Sequence, residues 1–189
     1  MVGAGLDAAV KGEYPGSTVT YQTSSGGLAN VPLVISGSCL FGMANDGDLA
    51  FASKGEEPFK EPVEGLTAVA VLYDWAPVWW IARADFAEKY GIDTLADLAE
   101  AKPPVRLVFN RRGLLTSAIT EATLEALGVT LDDIEDWGGS VQFQASEEQT
   151  NLMQDGRVDM LGNTLFEGHR SLFQMGEAVD LKLIGVPDD

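Results

Sequence analysis

The chain has a single cysteine and a single histidine among its 189 residues. One cysteine excludes an internal disulfide, and one of each leaves no Cys/His set for a tetrahedral zinc. Cys39 stands in the apolar stretch Ser38-Cys39-Leu40-Phe41 and reads as a small core residue rather than a nucleophile. Basic residues are scarce too: 12 Lys and Arg face 29 Asp and Glu, a formal net charge of -17. Nucleic acids and anionic membrane surfaces both reward clustered Lys and Arg, so neither is expected as a partner. No apolar run reaches the ~20 residues of a membrane helix, so direct membrane insertion is not expected, and Met1-Val2-Gly3-Ala4-Gly5 opens without a secretory leader. Also missing are the phosphate loop GxxxxGK[ST], the dinucleotide fingerprint GxGxxG, the zincin HExxH and the nucleophile elbow GxSxG. No cofactor and no metal are therefore expected. His169, in Glu167-Gly168-His169-Arg170, reads as a solvated or helix-capping histidine, and Asp132-Asp133 with Glu135-Asp136 as a solvated polar connection.

What the chain does have is apolar material, 46% of its residues, enough to bury a core. A short helical pattern over Leu6 to Lys11 ends at Gly12. Alternating, β-branched Thr18 to Thr23 predicts a strand, followed by Ser24-Ser25-Gly26-Gly27 and a helix over Leu28 to Ser36 that carries Pro32 early. Leu40 to Ala44 predicts a short buried strand ending on Asn45-Asp46-Gly47-Asp48, and Lys54 to Glu64 a loop. The continuous apolar runs Leu66 to Tyr73 and Val78 to Ala82 predict strands covered on both faces. Further on, strands over Val105 to Phe109, Val141 to Gln144, Val158 to Leu161 and Leu181 to Val186 alternate with helices. One helix opens at Thr94 as N-cap; another presents Ile119, Ala122, Thr123, Ala126 and Leu127 on one face and stops at Gly128. A third opens on the capping box Ser146-Glu147-Glu148-Gln149, and a fourth runs near His169 to Glu177. This βα repetition predicts an α/β architecture with mostly parallel sheets.

In open α/β sheets, ligands bind at the carboxyl ends of strands. Four loops fall there. Ser24, Ser25 and Gly26 lead into a helix start, where hydroxyls, close backbone approach and the helix dipole suit an anion. The same residues also make a plain helix cap. Arg111 and Arg112, followed by Thr116 at the next helix start, offer a bidentate clamp for a carboxylate, or two surface arginines. Asn45, Asp48 and Asn163 offer polar contacts or turn residues. Tyr73, Trp75, Trp79 and Trp80 cluster in sequence where aromatics can wall a pocket; Trp79 and Trp80, adjacent on a strand, point to opposite faces.

The run Val19 to Ser53, with Thr23-Ser24-Ser25-Gly26-Gly27-Leu28-Ala29-Asn30, then Phe41-Gly42 and Gly47-Asp48, resembles the first lobe of TAXI-type solute receptors of TRAP transporters. Leu66 to Arg83 resembles that family's passage between lobes. Thr94-Leu95-Ala96-Asp97-Leu98, Leu124 to Thr130 and Asp155-Gly156-Arg157-Val158-Asp159 resemble its later elements.

The resemblance implies a type II periplasmic-binding fold, with lobe one at residues 1–85 and lobe two at residues 86–189, closing by a hinge on a small organic acid or amino acid. It implies an extracytoplasmic location and membrane subunits of a TRAP transporter as partners. By position, Ser25, Gly26, Asn45, Asp48 and Tyr73 would serve the ligand from the first lobe, and Arg112, Thr116 and Asn163 from the second. Relative to that pattern, an upstream strand and a downstream return to lobe one are missing. Asn110-Arg111-Arg112-Gly113 also stands where the family has a Gly/Ser-rich turn. An enzyme using carboxylates or His169, and a regulatory effector-binding domain, are the other functions such a fold carries.

Overall fold

The computed structural model describes residues 2–22, 24–72 and 75–187. They divide into two compact units, one up to Gly65 and one from Leu66 onward.

The first unit holds three helices: α1 (Val2–Glu13), α2 (Gly27–Ile35) and α3 (Asp46–Lys54). The α1 helix runs through Gly12, where a stop was expected. Helix α3 overturns the reading of Asn45 to Asp48 as a strand end: Asn45 is its N-cap, and the Asp48 carboxylate accepts the Asn45 backbone N–H at 2.9 Å. The strands expected over Thr18 to Thr23 and Leu40 to Ala44 do not form among the described residues (Thr23 lies outside them). Leu40 is 86% exposed and Phe41 60%, so apolar content there does not mark a buried strand. Cys39 is half-buried rather than core, its Sγ accepting from Gln22 Nε2 at 3.5 Å.

The second unit is built on a five-stranded sheet: β1 (Val78–Arg83), β2 (Arg106–Phe109), β3 (Ser140–Phe143), β4 (Met160–Thr164) and β5 (Leu181–Leu183), in the order β3-β2-β4-β1-β5. The βα alternation gives parallel pairing of β2 with β3 and with β4, while β1 is antiparallel to β4 and β5, so the sheet is mixed. The helices are α4 (Ala84–Tyr90), α5 (Leu95–Ala101), α6 (Leu115–Ala126), α7 (Leu131–Asp136), α8 (Ser146–Gln154) and α9 (Arg170–Ala178).

Strand periodicity explains how this sheet is covered. Trp80, Ala82, Leu107, Phe109 and Met160 point to one face, where they meet Phe86, Leu95, Leu98, Leu124 and Ile134 from α4 to α7. Ile81, Val108 and Leu161 point to the other face and meet Leu152, Met153 and Met175 from α8 and α9. Both faces are buried, as the continuous apolar run at Val78 predicts.

Other expectations fail for physical reasons. The run Leu66 to Tyr73 forms no strand over its described residues, and Val69 and Val71 are 74% and 79% exposed. Helix α6 turns inward not through Ile119, Ala122, Thr123 and Ala126 but through Ser117, Thr120 and Leu124, while Leu127, just past its end, is half-buried against the core as expected. Its two buried hydroxyls donate to backbone carbonyls, Ser117 Oγ to Arg111 and Leu114, and Thr120 Oγ1 to Thr116 and Ser117. Small satisfied hydroxyls can therefore face the core at no polar cost. The acidic stretch expected as a connection is α7, with Thr130 capping at Asp133 N. Its carboxylates Asp132 and Glu135 remain exposed. The strand expected from Val158 begins two residues later, at Met160, and β5 ends at Leu183, with only an isolated bridge from Gly185 to Thr94 beyond it. Thr94 caps α5 as expected, accepting from Asp97 N at 3.2 Å.

Candidate functional site

In the first unit, Gly26 is the N-cap of α2, at φ 114, a conformation glycine alone adopts without strain. Ser24 Oγ accepts the Gly26 N–H at 3.3 Å, and Ser25 is exposed. A Cβ placed on Gly27 would stand 1.8 Å from Asp48 Oδ2 and 3.1 Å from Ala44 Cα. The structure thus brings the Ser24–Gly27 turn and Asp48 together, with a resident carboxylate packed against the opening residue of α2. Asp48 is 1% exposed, and burial pushes its carboxyl above the usual carboxylate range, opposed by the Asn45 N–H. Asn45 itself is exposed. Of the aromatic candidates, Trp75 is 65% exposed and Tyr73 lies outside the described residues. Trp80 is core, whereas Trp79 packs on the opposite face and donates Nε1–H to the Leu165 carbonyl at 2.6 Å.

In the second unit the candidates converge on one rim, where the parallel strands β2, β3 and β4 present their carboxyl ends. The loop after β2 carries Asn110, Arg111 and Arg112 and runs into α6; the loop after β3 runs into α8 at Ser146; β4 ends on Asn163 and Thr164. The Arg112 guanidinium lies 3.8 Å above the Phe143 ring centroid, with Nη1 3.8 Å from Glu121 Oε2. Phe143 is itself braced edge-on by Phe109, ring centroids 5.8 Å apart. The ring supports the cation without taking its N–H donors, and the Glu121 contact is too long to be a hydrogen bond. Arg112 is 66% exposed at its side chain, so its fork remains open to solvent. Arg111 is exposed and contributes through its backbone, donating N–H to Asn110 Oδ1 at 2.8 Å.

Asn163, picked from sequence as a ligand contact, is fully buried and already satisfied. Its Nδ2 donates to Ser146 Oγ at 3.1 Å and to Gln149 Oε1 at 2.8 Å, and its Oδ1 accepts from Asn110 Nδ2 at 3.1 Å. It ties β2, β4 and α8 together rather than facing outward. Thr116 Oγ1 and Thr164 Oγ1 form a short hydroxyl pair on the α6 side of the same rim. Sequence reasoning assigned Ser146 to a capping box; Ala145 is the N-cap of α8, and Ser146 instead joins the amide network. Asn110, Gln149 and Phe143 also belong to the rim. Their sequence signal is faint, because the contacts join residues 14 to 53 positions apart.

His169 caps α9: its Nδ1 accepts the Ser171 N–H at 3.1 Å while Phe166 packs edge-on against the ring. Burial holds its pKa below the usual imidazole value, in keeping with a neutral acceptor. Among the described residues no group of three or more His, Cys, Asp and Glu is placed to hold a metal ion, and no helix is long and apolar enough to cross a membrane.

The family model described as NMT1-like matches residues 1–189. No curated protein gives a significant match. Among solved structures, the alkanesulfonate-binding protein SsuA from Xanthomonas axonopodis pv. citri, bound to MOPS, is 17% identical with a TM-score of 0.52, covering 97% of this chain and 55% of its own. A glycine betaine/carnitine/choline ABC transporter structure is 16% identical with a TM-score of 0.38, covering 58% of this chain and 35% of its own. An amino acid ABC transporter substrate-binding protein from Streptococcus pneumoniae, bound to L-arginine, is 14% identical with a TM-score of 0.36, covering 58% and 37%. The chain therefore spans about half or less of the length of the solved structures it matches. The α/β fold is of the type II periplasmic-binding kind.

Proposed function

Because the chain belongs to the NMT1-like family, matched over residues 1–189, we propose that it is the solute-capturing receptor of a membrane transporter, working outside the cytoplasm and performing no chemistry on what it binds. The solute carries a carboxylate. The observation that carries this reading is Arg112, stacked 3.8 Å over Phe143 at the rim formed by strand carboxyl ends, with its guanidinium fork open. A guanidinium held over a ring with its fork open is pre-organised for bidentate recognition of a carboxylate, and it loses little rotamer freedom on binding. Thr116 sits at the same rim, and the buried amide network around Asn163 holds the rim rigid. The Ser24–Gly26 turn, Asn45 and Asp48 are the further contacts we assign to the first unit.

The order of sequence segments resembling TAXI-type receptors supports an ion-driven TRAP-type membrane partner. The ABC transporter names of the similar structures favour an ATP-driven one. Solute uptake in cells whose ion gradient, or whose ATP, has been depleted separates the two.

A thermal-shift screen against organic acids and amino acids tests the receptor reading. At a hundredfold excess over Kd, a ligand that binds only the folded state adds roughly 2.7 kcal/mol of stability, and the midpoint rises accordingly. Arg112→Ala should abolish the shift. Absence of a shift with every acid and amino acid would sink the carboxylate reading.

A further inference from the structure

We infer that Ser146 is a donor-only contact of this site, and that it favours solutes presenting an acceptor oxygen there, an ionised one most strongly. The inference rests on the receptor reading above and follows from counting hydrogen bonds. The Gln144 carbonyl can only accept, so the Gln149 nitrogen that donates to it at 3.0 Å fixes the Gln149 amide, and Gln149 Oε1 must be an acceptor. The Asn163 atom 2.8 Å from that oxygen is therefore its NH2. At the other end, the Arg111 backbone N–H can only donate, so the Asn110 atom 2.8 Å from it is Oδ1, and Asn110 Nδ2 points back to Asn163 Oδ1 at 3.1 Å.

With all three amides locked, both NH2 groups also donate to Ser146 Oγ, Asn163 at 3.1 Å and Asn110 at 3.4 Å. A hydroxyl has two acceptor lone pairs and one proton. Both lone pairs of Ser146 are taken by nitrogens that carry no acceptor, so what it has left to offer is its O–H. Ser146 is half-buried at the rim, and its proton is free to reach a bound molecule. A carboxylate or sulfonate oxygen satisfies it. A solute N–H placed there meets a group that has no lone pair to give.

Calorimetric titration of the wild-type chain with succinate, succinamide and ethanesulfonate, repeated on Ser146→Ala and Ser146→Thr, tests this. Succinate or ethanesulfonate should bind, and Ser146→Ala should weaken the binding about 10- to 100-fold, the value of one hydrogen bond to a charged group. Ser146→Thr, which keeps the hydroxyl, should stay within about threefold of wild type. Succinamide, whose carbonyl oxygens accept without charge, should bind wild type more weakly than succinate and lose only about 2- to 10-fold on Ser146→Ala. Unchanged affinity in Ser146→Ala at an unchanged urea midpoint, or an equal fold-loss for acid and diamide on that substitution, overturns the inference and leaves the receptor reading standing. Failure of both anions to bind wild type overturns the inference and the anion reading together.

Discussion

Truncating Asn163 to alanine should destabilise the second unit by roughly 2–4 kcal/mol. Asn163 is 0% exposed and makes three hydrogen bonds, to Ser146, Gln149 and Asn110. In Asn163→Ala, Gln149 Oε1 loses its donor while Gln149 stays 1% exposed, so no solvent replaces it. An orphaned buried acceptor costs about 1–3 kcal/mol, and the void left by the amide adds about 1 kcal/mol. Asn110 Nδ2 keeps Ser146 Oγ at 3.4 Å, which limits the loss on that side. All four tryptophans, Trp75, Trp79, Trp80 and Trp137, lie in the second unit, so urea unfolding followed by tryptophan fluorescence reports that unit selectively. For a slope of about 2 kcal/mol per molar, the midpoint should fall by about 1–2 M. Asn163→Asp is the sharper test. It keeps the shape but sets a carboxylate oxygen against Gln149 Oε1, and an unpaired buried charge costs about 3–5 kcal/mol. Burial raises the folded-state pKa of the introduced carboxyl, so the penalty is full above that pKa and eases as pH falls through it, when a protonated oxygen can donate to Gln149. A midpoint change in Asn163→Ala below about 0.3 M at unchanged slope would refute the reasoning.

Gly27→Ala should destabilise the first unit by several kcal/mol, since its Cβ would stand 1.8 Å from Asp48 Oδ2 and 3.1 Å from the Ala44 backbone; limited proteolysis within residues 2–65 reads this, and Asp48→Ala in the same chain should restore part of the loss. His169 is the only histidine, and burial lowers its folded-state pKa from 6.5, so the folded chain binds fewer protons than the unfolded one. Stability from this group is complete above pH 6.5 and declines as pH falls below that value, because burial makes the charged imidazole costly in the folded chain. The urea midpoint between pH 7.5 and 5.5 should fall in wild type and flatten in His169→Asn, which caps without titrating; parallel profiles in the two proteins would remove His169 as the cause.

Local rules made much of the second unit legible. Thr94 and Gly128 bounded their helices because a capping hydroxyl and a left-handed glycine act within one turn. The run at Val78 was readable because a strand buried on both faces needs no alternation. The same rule misfired at Leu66 to Tyr73: apolar composition records what a segment can bury, not whether a partner covers it. On α6, hydrophobicity singled out Ile119, but the inward face belongs to Ser117 and Thr120, whose hydroxyls are silenced by carbonyls of the preceding turn. At the rim, Arg112, Thr116 and Asn163 could be placed because loops after strands follow from element order. What their side chains do could not be read. The Phe143 ring under Arg112 and the Ser146–Asn163–Gln149 chain of donors depend on strand pairing that brings distant residues side by side.

The reversed direction of β1 has a mechanical consequence. Because β1 runs against β4, its first residue, Val78, lies opposite Thr164, and Trp79 lies opposite Asn163. The chain therefore feeds into the sheet at the same rim that holds Arg112 and Ser146. Leu165 N–H grips the Pro77 carbonyl at 3.3 Å and the Trp79 indole grips the Leu165 carbonyl, so the tether is knotted to the end of β4 within two residues of Asn163. At the far end of the strands, the Arg106 guanidinium clasps Asp159 through Nε at 2.8 Å and ties into the Gly156 carbonyl, also at 2.8 Å. Load carried by the chain entering at Pro77 therefore meets the rim before it meets the clasped end of the strands. Filling the rim and tensioning the incoming chain are thus two ways of loading the same few atoms.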